Sequence, residues 1–252
     1  HIFMRKEQIT DEIMGVVRLI DEVYAKFGFE YFVELSTRPE NSMGSDEDWE
    51  AATDGLKAAL AKMGLDYTIN EGDGAFYGPK IDFHLRDSLG RTWQCGTIQL
   101  DFQMPLNFNL EYVDEKGERQ RPIMIHRVCF GSIERFIGIL TEHFAGKFPV
   151  WLAPTQVKVL TLPGTDETYA REVYEKLRGA KVRVELDDRN EKIGYKVREA
   201  RQVDRVPYML IIGKNEIENK TVSVRDRETD KTESMTMQQF TDMLLDKIQK
   251  RA

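Results

Sequence analysis

Cysteine is nearly absent from this 252-residue chain. Cys95 and Cys129 stand alone, with no C-x-x-C spacing. They cannot build a disulfide scaffold or a cysteine-rich zinc module, so a reducing, cytoplasmic setting is expected. Long apolar runs are missing too. The longest resemble Leu210-Ile211-Ile212, far short of the ~20 residues that cross a bilayer, which excludes membrane insertion through a helix. No internal repeat and no low-complexity tract occurs, and no basic or apolar leader follows His1. Histidine is scarce, at 4 residues, so spacing alone makes a weak case for a metal.

What is present suffices for packed cores. Hydrophobic residues make up 41% and aromatics 10% of the chain, which excludes a wholly disordered protein. The net charge of −7 is unevenly spread: residues 1–153 carry 16 Lys+Arg against 25 Asp+Glu, and residues 154–252 carry 20 against 18. That change of sign points to two domains with different partners. Pro149 and Pro154 bracket a break at residues 148–154, so the expected domains are 1–150 and 151–252.

The first part reads as α+β. Ile9, Ile13, Val16, Ile20, Val23 and Phe27 recur at helical spacing, and Gly28 supplies a stop. Residues 29–35 read as a strand. A second helix follows Ser45, where Asp46, Glu47 and Asp48 suit the positive end of its dipole, and it buries Trp49, Ala52, Leu56, Leu60 and Met63. From 67 to 112 the pattern is short strands and turns, hence an antiparallel sheet. Gly131 precedes a helix carrying Ile133, Phe136, Ile137, Leu140 and Phe144. The second part alternates: strand 157–162, helix 166–178, strand 181–186, helix 191–204, strand 207–212, strand 222–224. A last helix is capped by Thr236 with Gln239. Such alternation predicts a small α/β unit with parallel pairing.

Several groups carry chemistry. His84 alternates within a strand and reads as a sheet residue; His143, beside Glu142, is expected to be solvated. His126 ends the apolar run 122–125 and reads, on its own, as a core histidine with a hydrogen-bond partner. Between Glu71 and Lys80 three glycines let backbone approach a ligand closely, with Tyr77 and Lys80 adding a hydroxyl and a cation; an ordinary tight turn is the alternative. Gln94 and Gln99 would face opposite sides of a regular strand unless a bulge at Gly96 brings them together. Arg135 sits in the first turn of an apolar helix, where a cation is unfavourable unless an anion such as phosphate, or a salt bridge to Glu134, compensates. Arg189, Lys192, Lys196, Arg198, Arg201 and Arg205 offer a basic helix face beside Asn190, Tyr195 and Tyr208. That is either a solvated surface or a single-stranded RNA contact.

Together these residues resemble a known family. His1-Ile2-Phe3, residues 75–80, residues 94–102, Ile125-His126-Arg127 and residues 131–135 are similar to the threonyl-tRNA synthetases, class II enzymes. Residues 187–196 and Arg205-Val206-Pro207-Tyr208 resemble their carboxy-terminal anticodon-binding domain. The resemblance runs essentially end to end.

It implies a class II catalytic core, an antiparallel sheet with helices and incomplete at its amino end, followed by a small α/β anticodon-binding domain. It implies activation of threonine with ATP and Mg²⁺, then transfer to the terminal ribose of tRNA(Thr), in a homodimer. His126 and His1 match two of three zinc ligands; the third, a Cys, lies upstream in the family. Zinc would take the amino group and hydroxyl of threonine, and valine, lacking the hydroxyl, would leave a polar site unpaired. Tyr77 and Gln99 match residues around threonine, with Lys80 and Ser132 as further pocket members. Gln94 and Arg135 match catalytic positions at ATP, Arg135 stabilising charge on the triphosphate. Asn190, Lys192, Arg198, Glu216 and Arg225 match anticodon contacts, Glu216 accepting from a guanine edge and an arginine donating in pairs.

The match lacks the family's motif 1, its motif 2 arginine and its editing domain, so the chain reads as a truncated form, inactive in isolation. A non-catalytic RNA-binding module and an accessory paralogue are the alternatives, in which Tyr77, Gln99, His126 and Arg135 would be scaffold.

Overall fold

Helical spacing and end signals act where expected. In a computed structural model, which describes residues 1–251, α1 (Ile9–Phe27) buries Ile9, Ile13, Val16, Val17, Ile20 and Tyr24 and stops at Gly28 in the left-handed conformation, φ 71°. α2 (Asp46–Met63) begins at Ser45, whose hydroxyl accepts from the Asp48 N–H at 3.2 Å, and the two helices pack together. The chain divides into two compact units, His1–Glu142 and His143–Ala252.

In the first unit the strands are β1 (Ile2–Met4), β2 (Tyr31–Ser36), β3 (Tyr67–Asn70), β4 (Lys80–Arg86) and β5 (Thr92–Asp101). A separate small hairpin, β6 (Tyr112–Val113) with β7 (Arg119–Gln120), precedes β8 (Ile123–Val128). The main sheet has the order β1-β8-β5-β4-β2-β3. All its pairings are antiparallel except β2 with β3, which is parallel.

Strand alternation sorts this sheet into two faces. Leu35, Ile81, Phe83, Leu85, Ile98, Leu100 and Ile125 are fully buried on one, the side of α1. On the other, register brings Ser36 opposite Lys80, Lys80 opposite Gln99, Asp82 opposite Thr97, and Gln99 opposite His126. The pairing shifts between Phe83 and His84: Phe83 lies opposite Gly96 and His84 opposite Gln94. Cys95 is therefore the extra residue of a bulge, and Gln94 and Gln99 share the polar face. α3 (Gln103–Asn107) follows β5, and α4 (Ile133–His143) closes the unit's sequence.

The second unit contains β9 (Val157–Thr161), α5 (Thr168–Gly179), β10 (Val184–Asp187), α6 (Ile193–Arg198), β11 (Tyr208–Ile212), α7 (Lys214–Asn219), β12 (Thr221–Asp226), β13 (Thr232–Thr236) and α8 (Met237–Lys250). Its sheet runs β10-β9-β11-β12-β13; β10, β9 and β11 are parallel, and β12 and β13 antiparallel. α5 and α8 cover one face through Tyr169, Val173, Leu177, Phe240 and Leu244, packed on Val157, Val159, Leu210 and Val224. Leu160 and Met209, on the other face, pack with Ala200, Ile193 and Val197. The Thr236–Gln239 capping box forms as expected.

Some elements differ from the sequence reading. The helix expected over 191–204 is α6 followed by a π turn, Glu199–Val203. α3, α7 and β13 carried no periodic apolar signal, being short or polar, and were not expected. Residues 148–153, read from their prolines as a break, are bonded into the second unit: Val150 joins its core. Val150 O accepts from Gln156 Nε2 at 2.8 Å, and Arg183 donates to the carbonyls of Trp151 and Ala153. Among the described residues no helix is long and apolar enough to cross a membrane.

Candidate functional site

The polar face of the first sheet carries three hydrogen-bonded groups, centred on Asp82, on Tyr77 with Gln99, and on His126 with Asp101. Asp82 is 1% exposed. Its carboxylate accepts from Ser36 Oγ (2.8 Å), Lys80 Nζ (2.7 Å), Gln94 Nε2 (2.6 Å) and Thr97 Oγ1 (3.1 Å). Lys80 Nζ also donates to Asp73 at 2.9 Å. Burial pulls the Lys80 ammonium down, but bonds to Asp82 and Asp73 outweigh it and its pKa ends above the ordinary lysine value. The cation therefore stays charged although nearly enclosed.

Tyr77 reaches the same face from the glycine-containing loop. Gly78 has to be glycine there, because a Cβ would sit 1.8 Å from the Leu100 carbonyl oxygen. Tyr77 Oη donates to Gln99 Oε1. Burial, followed by the nearby Asp101 charge, raises the Tyr77 phenol above its usual pKa, so it remains a neutral donor. The Tyr77 ring lies 5.3 Å from that of His126, and His126 lies 4.8 Å from His1. His126 Nε2 is 2.7 Å from Asp101 Oδ2, while Asp101 Oδ1 accepts from the Gln103 and Met104 N–H groups that start α3. His126 thus has the hydrogen-bond partner a core histidine needs and lies opposite Gln99 on the polar face.

Arg135 is exposed and, among the described residues, has no carboxylate on its guanidinium, so the salt bridge to Glu134 does not form. Its Nη2 donates to the Gln94 carbonyl, and it stands over Trp93 at 5.9 Å. Glu134 instead accepts from Ser132 Oγ at 2.9 Å, and Ser132 Oγ accepts from the Arg135 N–H at 3.3 Å. His84 is in the sheet as expected, stacked on Phe32 at 4.9 Å. His143 is half-buried, its ring 4.9 Å from that of Phe144, so it is less solvated than expected.

Two imidazoles are the donors available to a zinc ion. Among the described residues no group of three or more His, Cys, Asp or Glu could hold a metal. Cys95 is buried and Cys129 half-buried, and burial pushes both thiols up. The side chains present do not by themselves complete a zinc site.

In the second unit, Asn190, Lys192 and Arg198 are exposed. The basic face is smaller than the sequence suggests. Lys196 is 0% exposed; its Nζ donates to Thr161 O (3.0 Å), Thr161 Oγ1 (3.3 Å) and Asp187 O (3.0 Å). Arg189 is committed to Asp187 and Glu199, and it holds the Asp187 carboxyl below its usual pKa. Glu216 accepts from Gly213 N at 2.9 Å and Ser223 Oγ at 2.7 Å. Arg225 donates to Asp230.

Residues 1–144 match the tRNA synthetase class II core domain (G, H, P, S and T). The chain belongs to this class II synthetase family. Residues 156–247 match an anticodon binding domain. It is 65% identical over 240 residues to the threonine–tRNA ligase of Clostridium tetani, covering 95% of this chain and 37% of that protein. It is 61% identical over 252 residues to that of Caldanaerobacter subterraneus, covering 100% and 39%. The chain thus spans under two fifths of the length of these relatives. The RNA binding domain of threonyl-tRNA synthetase from Cryptosporidium parvum superposes with a TM-score of 0.93 at 41% identity, covering 97% of this chain and 62% of that one.

Sequence reading missed Asp82, Thr97 and Asp101. A charged residue within the alternating run 81–85, on the parity of Lys80, is the signal that could have found Asp82. Asp101 needed the register of β5 against β8.

Proposed function

We propose that the chain serves threonine–tRNA ligation, the first unit contributing to threonine activation and the second binding the anticodon of tRNA(Thr) in the cytoplasm. In the first step the threonine carboxylate attacks the α-phosphorus of ATP and pyrophosphate leaves. In the second a terminal ribose hydroxyl of tRNA attacks the adenylate carbonyl and AMP leaves. Arg135, a cation without a carboxylate partner among the described residues, would stabilise the triphosphate charge. Gln94 has its amide nitrogen held by Asp82 and its backbone carbonyl taken by Arg135, so its side-chain Oε1 would be the atom that accepts from the nucleotide. Tyr77 and Gln99, bonded to each other, would orient threonine beside Lys80, with Ser132 at the start of α4. Zinc, when bound, supplies a Lewis acid for the amino group and hydroxyl of threonine; His1 and His126 are the donors this chain would contribute.

The observation that supports this reading most is the single polar face on which Tyr77–Gln99, Lys80–Asp82–Gln94 and His126–Asp101 adjoin. Because two imidazoles fall short of the three protein ligands such sites use, and positioning supplies much of the catalysis, the chain alone should be inactive. After dialysis, mass spectrometry should find sub-stoichiometric zinc, and threonine-dependent pyrophosphate exchange should be absent. Stoichiometric zinc with robust exchange would overturn that expectation. tRNA binding should weaken with salt. Arg225→Ala should cost about 1–3 kcal/mol for threonine-accepting tRNA and little for others; equal weakening for every tRNA would make Arg225 a phosphate contact.

A further inference from the structure

The turn between β12 and β13 brings three charged side chains together. Asp230 carries two arginines: Arg225 Nε and Nη2 both donate to its Oδ1, at 3.0 and 2.7 Å, and Arg201 Nη1 lies 3.0 Å from its Oδ2. Arg225 comes from β12, on the face it shares with Ser223, and Arg201 comes from the π turn after α6. Asp230 is itself in the left-handed conformation, φ 58°, which costs a non-glycine residue energy unless its surroundings hold it there. The rest of the turn is braced independently: Asp226 Oδ1 accepts from the N–H groups of Glu228 (2.7 Å) and Thr229 (3.0 Å), and the Asp230 N–H donates to Asp226 O at 3.0 Å. The carboxylate of Asp230 is therefore not needed to make the turn.

The geometry of the fork gives it another use. A guanidinium has a side edge, formed by Nε and one Nη2 hydrogen, and an end edge, formed by Nη1 and the other Nη2 hydrogen. Asp230 occupies the side edge of Arg225. The end edge is left with two parallel N–H groups, the arrangement that meets paired acceptors such as O6 and N7 of guanine. Arg201 takes the second carboxylate oxygen, so the acid is clamped from both sides, and the Arg201–Asp230–Arg225 group keeps a net positive charge.

We propose that Asp230, clamped by Arg201, is a positioning residue that presents the end edge of Arg225 to a base with two adjacent acceptors, a guanine, and thereby sets base discrimination in the bound RNA. This rests on the RNA-binding reading of the second unit. It deepens that reading by naming what orients the arginine. A rim arginine without such a brace would be as well placed for any phosphate, which carries no sequence information.

The test uses the full chain and RNA hairpins in which each loop position in turn is guanine or adenine, with fluorescence anisotropy giving the ratio of dissociation constants for each pair. Arg225→Ala identifies the position that this arginine reads. At that position Asp230→Gly, which accepts a positive φ, should lower discrimination by about tenfold. The adenine hairpin should bind no more weakly, since a negative charge beside RNA has been removed. Asp230→Asn, which tolerates the same backbone and keeps an oxygen acceptor, should retain an intermediate ratio. Full discrimination in Asp230→Gly, or equal weakening for both hairpins, would overturn the positioning role while the Arg225 reading stands. If the unaltered chain shows no discrimination at any position, the base-reading role of Arg225 fails first, and the inference falls with it.

Discussion

Two residues show how far a single side chain can be judged before it is placed. Gly78 looked like one of three permissive glycines in a loop, yet its φ is not in the left-handed region; the constraint is the Leu100 carbonyl, 1.8 Å from where a Cβ would go. Gly78→Ala should therefore force β5 and the Tyr77 loop apart and cost at least about 2 kcal/mol, as overpacking against backbone does, read from a thermal melt of the full chain. Lys196 looked like part of a basic surface, because its spacing from Lys192 is one helical turn. Its side chain is instead enclosed, ending on the carbonyls of Thr161 and Asp187 at the tips of β9 and β10. Lys196→Met should leave those carbonyls and the Asp187 carboxylate, 3.6 Å from Nζ, without their cation. The loss should be about 3–5 kcal/mol in denaturant unfolding, with Arg189 moderating it through its own bond to Asp187. Residue type and spacing could not tell these cases apart, since burial is decided by chain segments far away in sequence.

At the scale of elements, the β4–β5 hairpin is held by one carboxylate. Asp87 accepts from the N–H groups of Leu89 (2.9 Å) and Arg91 (2.8 Å), from Arg91 Nε (2.6 Å) and from Trp93 Nε1 (2.8 Å). Burial acts to raise its pKa, but the bonds from Trp93 and Arg91 prevail and hold it at about 2. A carboxyl with a folded pKa below its unfolded value of about 3.9 stabilises the fold above that value. The contribution is lost as pH falls toward 2. The melting-temperature difference between the native chain and Asp87→Asn should thus be steady above about pH 4 and shrink toward pH 2. A difference independent of pH would mean that the charge on Asp87 does not matter to the hairpin. Helix ends were legible at this scale because caps are local: Gly28, Ser45 and Thr236 act on backbone within a few residues. The π turn at 199–203 was not legible. Its signature is a hydrogen-bond shift that leaves the apolar positions Ile193, Val197 and Ala200 on the sheet.

For the whole molecule, the division into two units has a direct test. Residues 143–252 should express as a soluble domain that melts cooperatively, because Val150 lies in the second unit's core and Arg227 donates to Lys147 O and Phe148 O at 3.2 and 3.1 Å. Residues 154–252, lacking those partners, should melt at a lower temperature. Equal melting would mean that residues 147–153 add nothing to the second unit.

Composition, apolar period and caps were sufficient for the fold class, for α1, α2, α5 and α8, and for the two-part organisation, since each depends on short-range spacing and on charge totals. The motifs around Tyr77, Gln99, His126 and Arg135 were enough to propose a family. Tertiary structure alone decided which of these groups meet. The extra residue at Cys95 turns Gln94 onto the face of Gln99, strand register sets His126 beside Asp101, and Asp82 becomes the shared acceptor of four side chains drawn from three strands. Register is a long-range property: shifting a strand by one residue exchanges its two faces, and nothing local in the sequence says which strand lies next to which.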